Sequence, residues 1–68
     1  MINEKLLRET IKEKGMSMVF VATKVGITRA ALHKKMSNNN EFKASEIKSL
    51  SKLLQLTTKD IMTIFFEE

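Results

Sequence analysis

Apolar residues recur along the start of the chain at the three- and four-residue spacing of an amphipathic helix. This spacing predicts a helix from about residue 3 to 14. Asn3 is a suitable N-cap for it, and Gly15 is a suitable end because glycine adopts the left-handed backbone conformation at little cost. The apolar stripe consists of Ile2, Leu6, Leu7 and Ile11.

Two further helices are predicted on either side of a single glycine turn. The first spans about residues 18–25 behind a Ser17 cap, and the second spans about residues 29–36 behind a Thr28 cap. Gly26 ends the first of them. A helix, a tight turn and a second helix therefore fall within about residues 17–36.

The last third of the chain predicts two more helices. Residues 37–41 are Ser- and Asn-rich, which is typical of a loop. An apolar stripe follows from about residue 44 to 55, and Thr57 with Asp60 approaches a capping box that begins a fifth helix. The methionines at 16, 18, 36 and 62 are expected to fill the core. We therefore expect one all-α, compact five-helix domain over residues 1–68.

Composition narrows the class of protein. The 68 residues include no cysteine and a single histidine, which excludes disulfides and thiolate metal sites and leaves His33 without a second imidazole. No run approaches the roughly 18 apolar residues of a membrane span, and the start of the chain lacks the layout of a signal peptide. We expect a soluble cytoplasmic protein with no metal and no cofactor.

Catalytic chemistry is not indicated by the sequence. Paired carboxylates, a nucleophile with its base, and a phosphate-cradling glycine loop are all missing from the pattern. The chain is also short for a deep pocket. We expect no enzymatic activity and no small-molecule substrate.

The net charge of +4 is concentrated in the middle third of the chain. Residues 15–43 hold five cations against one anion, whereas residues 1–14 hold four against three and residues 44–68 hold three against four. A localised basic patch is typical of a protein that binds a polyanion. A solvated surface with no ligand would show the same charge.

Residues 18–37 resemble the helix-turn-helix of the Cro and lambda-repressor superfamily. Ala22 falls where the two helices cross and Gly26 falls at the turn, while Thr28 falls at the N-cap of the second helix. The motif's apolar positions are occupied by Val21, Val25, Ile27 and Leu32. The resemblance covers nearly the whole chain, and short regulators of temperate phages are the most similar in form, including a C-terminal Ile64-Phe65-Phe66.

Two positions depart from the family pattern. Lys35 stands where an apolar residue is frequent, so Met36 is expected to take its packing role. Lys43 stands where a Ser or Thr cap is usual at the start of the fourth helix. This weakens the cap but adds a positive charge beside a loop that can face a phosphate.

The resemblance implies that the second helix of the motif enters the major groove of double-stranded DNA. Its candidates for reading bases are Arg29, Ala30, His33 and Lys34. The candidates for phosphate contacts are Ser17, Thr28, Lys35, Asn38, Asn39, Asn40 and Lys43. The alternative is that the cations form a solvated helix face and that the asparagines form an ordinary loop.

The resemblance also raises the question of a protein partner. Helix-turn-helix domains of this size usually bind DNA as dimers, and Ile64, Phe65 and Phe66 are candidates for the interface, with Phe66 expected to be exposed. Phe65 and Phe66 can instead fold back onto the first helix. Val19 and Phe20 are further interface candidates, because one or both should be exposed beside the recognition surface.

Two functions follow from the resemblance. The first is a Cro-type DNA-binding transcription regulator in a phage lysis/lysogeny switch, located in the bacterial host's cytoplasm. The second is an antirepressor or modulator of repression that binds the helix-turn-helix domain of a phage repressor. The expected partners are accordingly double-stranded DNA and, within a dimer, either a second copy of the chain or a phage repressor.

Overall fold

The computed structural model describes residues 2–37 and 42–66. Within these ranges the secondary structure is entirely helical, which confirms the all-α prediction. The elements are α1 (Glu4–Glu13), α2 (Met18–Val25), α3 (Arg29–Ser37), α4 (Ala44–Leu53) and α5 (Thr58–Ile61), and α5 continues as a π-helical segment (Met62–Phe66). The first three helices lie within one residue of their predicted bounds at each end, whereas α4 ends two residues early.

Side-chain caps begin the helices where the sequence predicts them. Asn3 Oδ1 accepts the amide three residues further on at 3.1 Å, and Ser17 Oγ does the same at 3.0 Å. Thr57 and Asp60 form a reciprocal capping box, with distances of 3.1 and 3.0 Å between each amide and the other side chain. These bonds pair amides that a helix start otherwise leaves unpaired.

Three helices end in the same kind of turn. A residue of positive φ follows each of them: Gly15 at 72°, Gly26 at 89° and Gln55 at 55°. The next amide then bonds back to the carbonyl five residues earlier, which is the Schellman arrangement. The pairs are Met16 to Ile11 at 3.2 Å, Ile27 to Ala22 at 3.0 Å and Leu56 to Ser51 at 2.9 Å. The end of α4 was misplaced because no glycine marks it.

One core joins the helices. α2 packs against both α3 and α4, and α1 packs against the π-helical segment. A backbone hydrogen bond of 2.7 Å from the Asn3 amide to the Ile64 carbonyl ties the two ends of the described chain together. The buried members are Leu7, Ile11, Val21, Ala22, Leu32, Met36, Leu50, Leu54, Ile64 and Phe65.

The C-terminal segment corrects two expectations. Ile64 and Phe65 are buried in the chain's own core, so the predicted partner interface loses them. Phe65 packs edge-on against Phe42, with ring centroids 5.6 Å apart and an interplanar angle of 82°. Met62 is 54% exposed, so the expectation that it fills the core was wrong. The expectation that Phe66 is exposed is confirmed, also at 54%.

The positive-φ turns can be tested by exchanging glycine in both directions. Gly26→Ala should lower the free energy of unfolding by about 1–2 kcal/mol, because a left-handed backbone disfavours a side chain. Apart from Gly26 and its two chain neighbours, no atom lies within 4 Å of an added Cβ, so the cost comes from the local backbone conformation and not from packing. Urea denaturation followed by circular dichroism measures the change.

The matched variant is Gln55→Gly, which places glycine where the chain lacks it. It should raise the free energy of unfolding by roughly 0.5 kcal/mol, since the relieved strain exceeds the greater freedom of glycine in the unfolded chain. A stabilising Gly26→Ala or a strongly destabilising Gln55→Gly would contradict this account of the turns.

Candidate nucleic-acid interface

The position of α3 is set by local bonds at its start. The left-handed Gly26 turns the chain, and Thr28 Oγ1 then accepts the Ala31 amide at 3.0 Å and caps the helix. Val21 and Leu32 are fully buried between α2 and α3. The opposite side of α3 is thereby turned towards solvent.

The solvent-facing side of α3 gathers most of the predicted base-reading residues. Arg29, Ala30 and His33 line one shallow, open depression. Arg29 and Ala30 are exposed, and His33 is half-buried. Lys34 is also exposed but does not line the depression. Two cations at this surface, Arg29 and Lys34, make no ion pair with any residue of the described ranges.

The predicted phosphate contacts fall into three groups. Ser17 and Thr28 are exposed, and each uses its hydroxyl oxygen to cap a helix. A hydroxyl that accepts one bond keeps its proton for donation, so capping and a phosphate contact are compatible. Lys43 is exposed at the N-cap of α4. Asn38, Asn39 and Asn40 lie outside the described residues.

Lys35 is directed towards α4. Its Nζ lies 3.1 Å from Glu46 Oε1, and its side chain is only 17% exposed. A phosphate contact by Lys35 therefore competes with this ion pair. Met36 is buried beside it, which confirms that Met36 takes the packing role at the end of the helix.

Glu46 was missed by the sequence prediction. The Oε1 atom that pairs with Lys35 also accepts the backbone amide of Lys43 at 2.8 Å. This bond supplies the cap that the Lys43 side chain cannot. The visible signal was a glutamate three residues after the N-cap position Lys43, which is half of a capping box.

Opposing effects act on the pKa of the Glu46 carboxyl. Burial by itself raises this pKa, but the hydrogen bonds from Lys43 and Lys35 and the two lysine charges lower it by more. The net shift is downward from the ordinary value of 4.5. Glu46 therefore remains ionised and holds α3 against α4 at neutral pH.

Arg8 of α1 is a second residue that the sequence prediction missed. Its Nη2 lies 3.1 Å from His33 Nδ1, and its Nε donates to Glu4 Oε2 at 2.8 Å. The i,i+4 spacing of Glu4 and Arg8 is visible in the sequence. The contact with His33 is not, because 25 residues separate the two side chains.

An apolar patch on α2 accompanies the basic surface. Val19 is 56% exposed and Phe20 is 44% exposed, which confirms that these two side chains are accessible. Lys24 Nζ lies 5.5 Å from the centroid of the Phe20 ring, at cation–π distance. The patch thus combines apolar area with a positive rim.

The sequence profile of the Cro/C1-type helix-turn-helix DNA-binding domain matches residues 6–67. The chain belongs to this family. No curated protein and no solved structure matches it. Membership in the Cro/C1-type family makes the chain a DNA-binding transcription regulator and double-stranded DNA its ligand.

Within residues 2–37 and 42–66, this Cro/C1-type domain has no group of three or more His, Asp or Glu side chains able to hold a metal ion. No helix in these residues is long and apolar enough to cross a bilayer.

The Lys35–Glu46 contact predicts how stability of the Cro/C1-type domain varies with pH. A carboxyl whose pKa is lowered by folding stabilises the native state above its unfolded pKa, and this contribution is lost as pH falls through the folded value. Glu46→Gln should therefore cost ~1–2 kcal/mol at pH near 7 and progressively less as pH falls below about 4.5. Thermal denaturation across pH measures this.

The matched control is Glu13→Gln, which changes an exposed glutamate at the end of α1. It should leave the pH profile nearly unchanged. A Glu46→Gln variant as stable as the native chain at neutral pH would show that the ion pair contributes nothing.

Proposed function

We propose that this chain is a sequence-specific regulator of the Cro type, in which α3 enters the major groove and reads bases from its N-terminal half. The observation that carries the proposal is that Arg29, Ala30 and His33 line one open depression in the N-terminal half of α3. In helix-turn-helix proteins it is the start of the recognition helix that meets base edges.

The chemistry of each side chain suggests its role. The planar fork of Arg29 matches the O6 and N7 acceptors of guanine, and the methyl of Ala30 suits the thymine methyl. Lys34 can donate to the same guanine acceptors less rigidly. His33 has one ring nitrogen that is not engaged by Arg8 and is accessible to a base or a phosphate.

Phosphate contacts would position α3 without reading sequence. We assign this role to Ser17, Thr28 and Lys43, which are exposed at the starts of α2, α3 and α4. Lys35 would have to leave Glu46 to join them. Asn38, Asn39 and Asn40 remain candidates for phosphate contacts on the basis of the sequence alone.

The biological setting is proposed from the sequence resemblance. The chain resembles short regulators of temperate phages, so we place it in a lysis/lysogeny switch in the cytoplasm of a bacterial host. A reporter controlled by the selected operator should be repressed when the chain is expressed. An unaffected reporter would argue against this setting even if the chain binds DNA.

DNA binding is tested by fluorescence anisotropy on duplex DNA at about 50 and 200 mM salt. A domain that neutralises several phosphates should bind at the lower salt and weaken steeply at the higher. Arg29→Ala with Lys34→Ala should weaken binding about tenfold or more, because it removes two direct contacts.

The control for net charge is Lys48→Ala with Lys52→Ala, which removes two exposed cations from α4. This pair should weaken binding much less than the α3 pair. Equal losses from the two pairs would mean that charge alone drives binding. A folded protein that fails to bind at the lower salt would overturn the proposal.

We further propose that the chain binds as a homodimer through its C-terminal segment. Met62 and Phe66 lie one turn apart, and both are more than half exposed. Neighbouring large apolar side chains on a surface are typical of a protein interface. The core already takes Ile64 and Phe65, so this exposed pair is available to a partner.

The dimer is tested by sedimentation equilibrium of Phe66→Asp and of Met62→Asp. Each should shift the protein towards the monomer mass, because a buried charge at the interface is costly. Lys48→Asp, at an exposed position on α4 away from the C-terminal segment, should leave the mass unchanged. A native mass in the Phe66→Asp variant would rule out this interface.

A second candidate function rests on the exposed Val19 and Phe20. An apolar patch beside the recognition helix does not help phosphate binding, but it suits a protein surface. The alternative is therefore a modulator of repression that binds the helix-turn-helix domain of a phage repressor, as a heterodimer. In a titration against that repressor domain, the chain should then bind and Phe20→Ser should weaken the binding. The affinity for the repressor domain should depend less steeply on salt than the affinity for DNA.

A further inference from the structure

The recognition helix α3 is contacted on one side by a hydrogen-bonded series of side chains that begins on α1. Glu4 Oε2 accepts from Arg8 Nε at 2.8 Å, and Arg8 Nη2 lies 3.1 Å from His33 Nδ1. This series of hydrogen bonds ends at the imidazole of His33, which lines the depression together with Arg29 and Ala30.

The chemistry of this contact defines the protonation of the ring. A guanidinium only donates hydrogen bonds, so Nδ1 must be the acceptor. The proton of the neutral ring is then on Nε2. An imidazolium has no acceptor nitrogen and could not make this bond, and the opposite tautomer would direct one N–H at another.

We propose that Arg8 is a positioning residue that determines base specificity: it holds His33 as an Nε2–H donor to an acceptor on a base edge. This inference rests on the proposed function of α3. Glu4 orients the guanidinium, and the second arm of the fork then fixes the ring. Arg8 itself does not contact the base.

The direction of the Nε2 proton determines which bases His33 accepts. In the major groove, guanine offers O6 and N7, adenine offers N7 and thymine offers O4 as acceptors, while cytosine offers the N4 donor. A ring held as a donor therefore selects against cytosine at the contacted position. Within the described residues Nε2 has no hydrogen-bond partner, so it is available to a base.

A stabilising role alone does not explain the arrangement. The Glu4 and Arg8 side chains are 38% and 37% exposed, and an ion pair of this kind contributes little to stability. The unusual feature is the use of one arginine to join an α1 carboxylate to a recognition-helix histidine. That geometry constrains the ring more than it stabilises the fold.

The first test uses the free protein and needs no DNA. Nitrogen-15 NMR of the His33 ring at about pH 8, where histidine is ordinarily neutral, reports which nitrogen carries the proton. The native chain should show a protonated Nε2 and an unprotonated Nδ1, and Arg8→Ala should shift the Nδ1 signal and raise the Nδ1–H fraction. A native ring protonated at Nδ1 would overturn the inference.

The second test is a double-mutant cycle on a selected operator and on variants of each base pair. Arg8→Ala and His33→Ala should each reduce discrimination at one and the same base pair, by about fivefold to tenfold. The double variant should lose no more base discrimination than His33→Ala alone, because Arg8 acts through the imidazole ring. Additive losses spread over all base pairs would instead mark Arg8 as a phosphate contact.

Lys5→Ala is the matched control, since it removes an exposed cation from the same helix. It should change affinity and salt dependence only slightly and leave discrimination intact. The outcomes separate the two proposals. Absence of DNA binding by the native chain defeats the proposed function, whereas specific binding with a normal base preference in Arg8→Ala defeats only the role of Arg8.

Discussion

The carbonyl oxygen of Ala22 accepts two amides, that of Gly26 at 2.9 Å and that of Ile27 at 3.0 Å. These bonds close α2 and reverse the chain, and they require the positive φ of 89° that Gly26 adopts. The side chain of Ala22 is itself buried. The direction of α3 depends on this one turn. Because successive residues of a helix differ by about 100°, a different exit would rotate the exposed side of α3 into the core.

The residues of α3 have separate tasks that follow from this placement. Leu32 and Met36 face inward and join the core. His33 and Lys35 lie on two other sides of the helix. Arg8 of α1 contacts His33, and Glu46 of α4 contacts Lys35. Among residues 2–37 and 42–66, none makes such a contact with Arg29 or Ala30 at the start of α3. A helix that is fixed along its sides and free at its N-terminal end is suited to enter a groove as a rigid unit.

The remaining apolar surface reflects the limits of a small core. A domain made of a few short helices can bury only part of the apolar area that its chain carries. In the C-terminal segment the adjacent residues Ile64 and Phe65 are both buried, whereas Met62 and Phe66 are exposed. The patch on α2 is exposed for the same reason, since the inner side of that helix already packs against α3 and α4. The exposed apolar surfaces and the core are therefore set by one packing arrangement.

The helix starts, the side-chain caps of α1, α2, α3 and α5, and two of the three left-handed turns described were determined by the sequence, because each depends on residues within one or two helical turns. The third turn, at Gln55, has no local signal: the backbone adopts a positive φ there without glycine. Only the tertiary structure decided that Lys35 meets Glu46 and that Arg8 meets His33. These contacts join residues of different helices, so they depend on how the helices pack. Packing likewise decided that Ile64 and Phe65 are both buried, because a periodicity pattern cannot divide one core among three consecutive apolar residues.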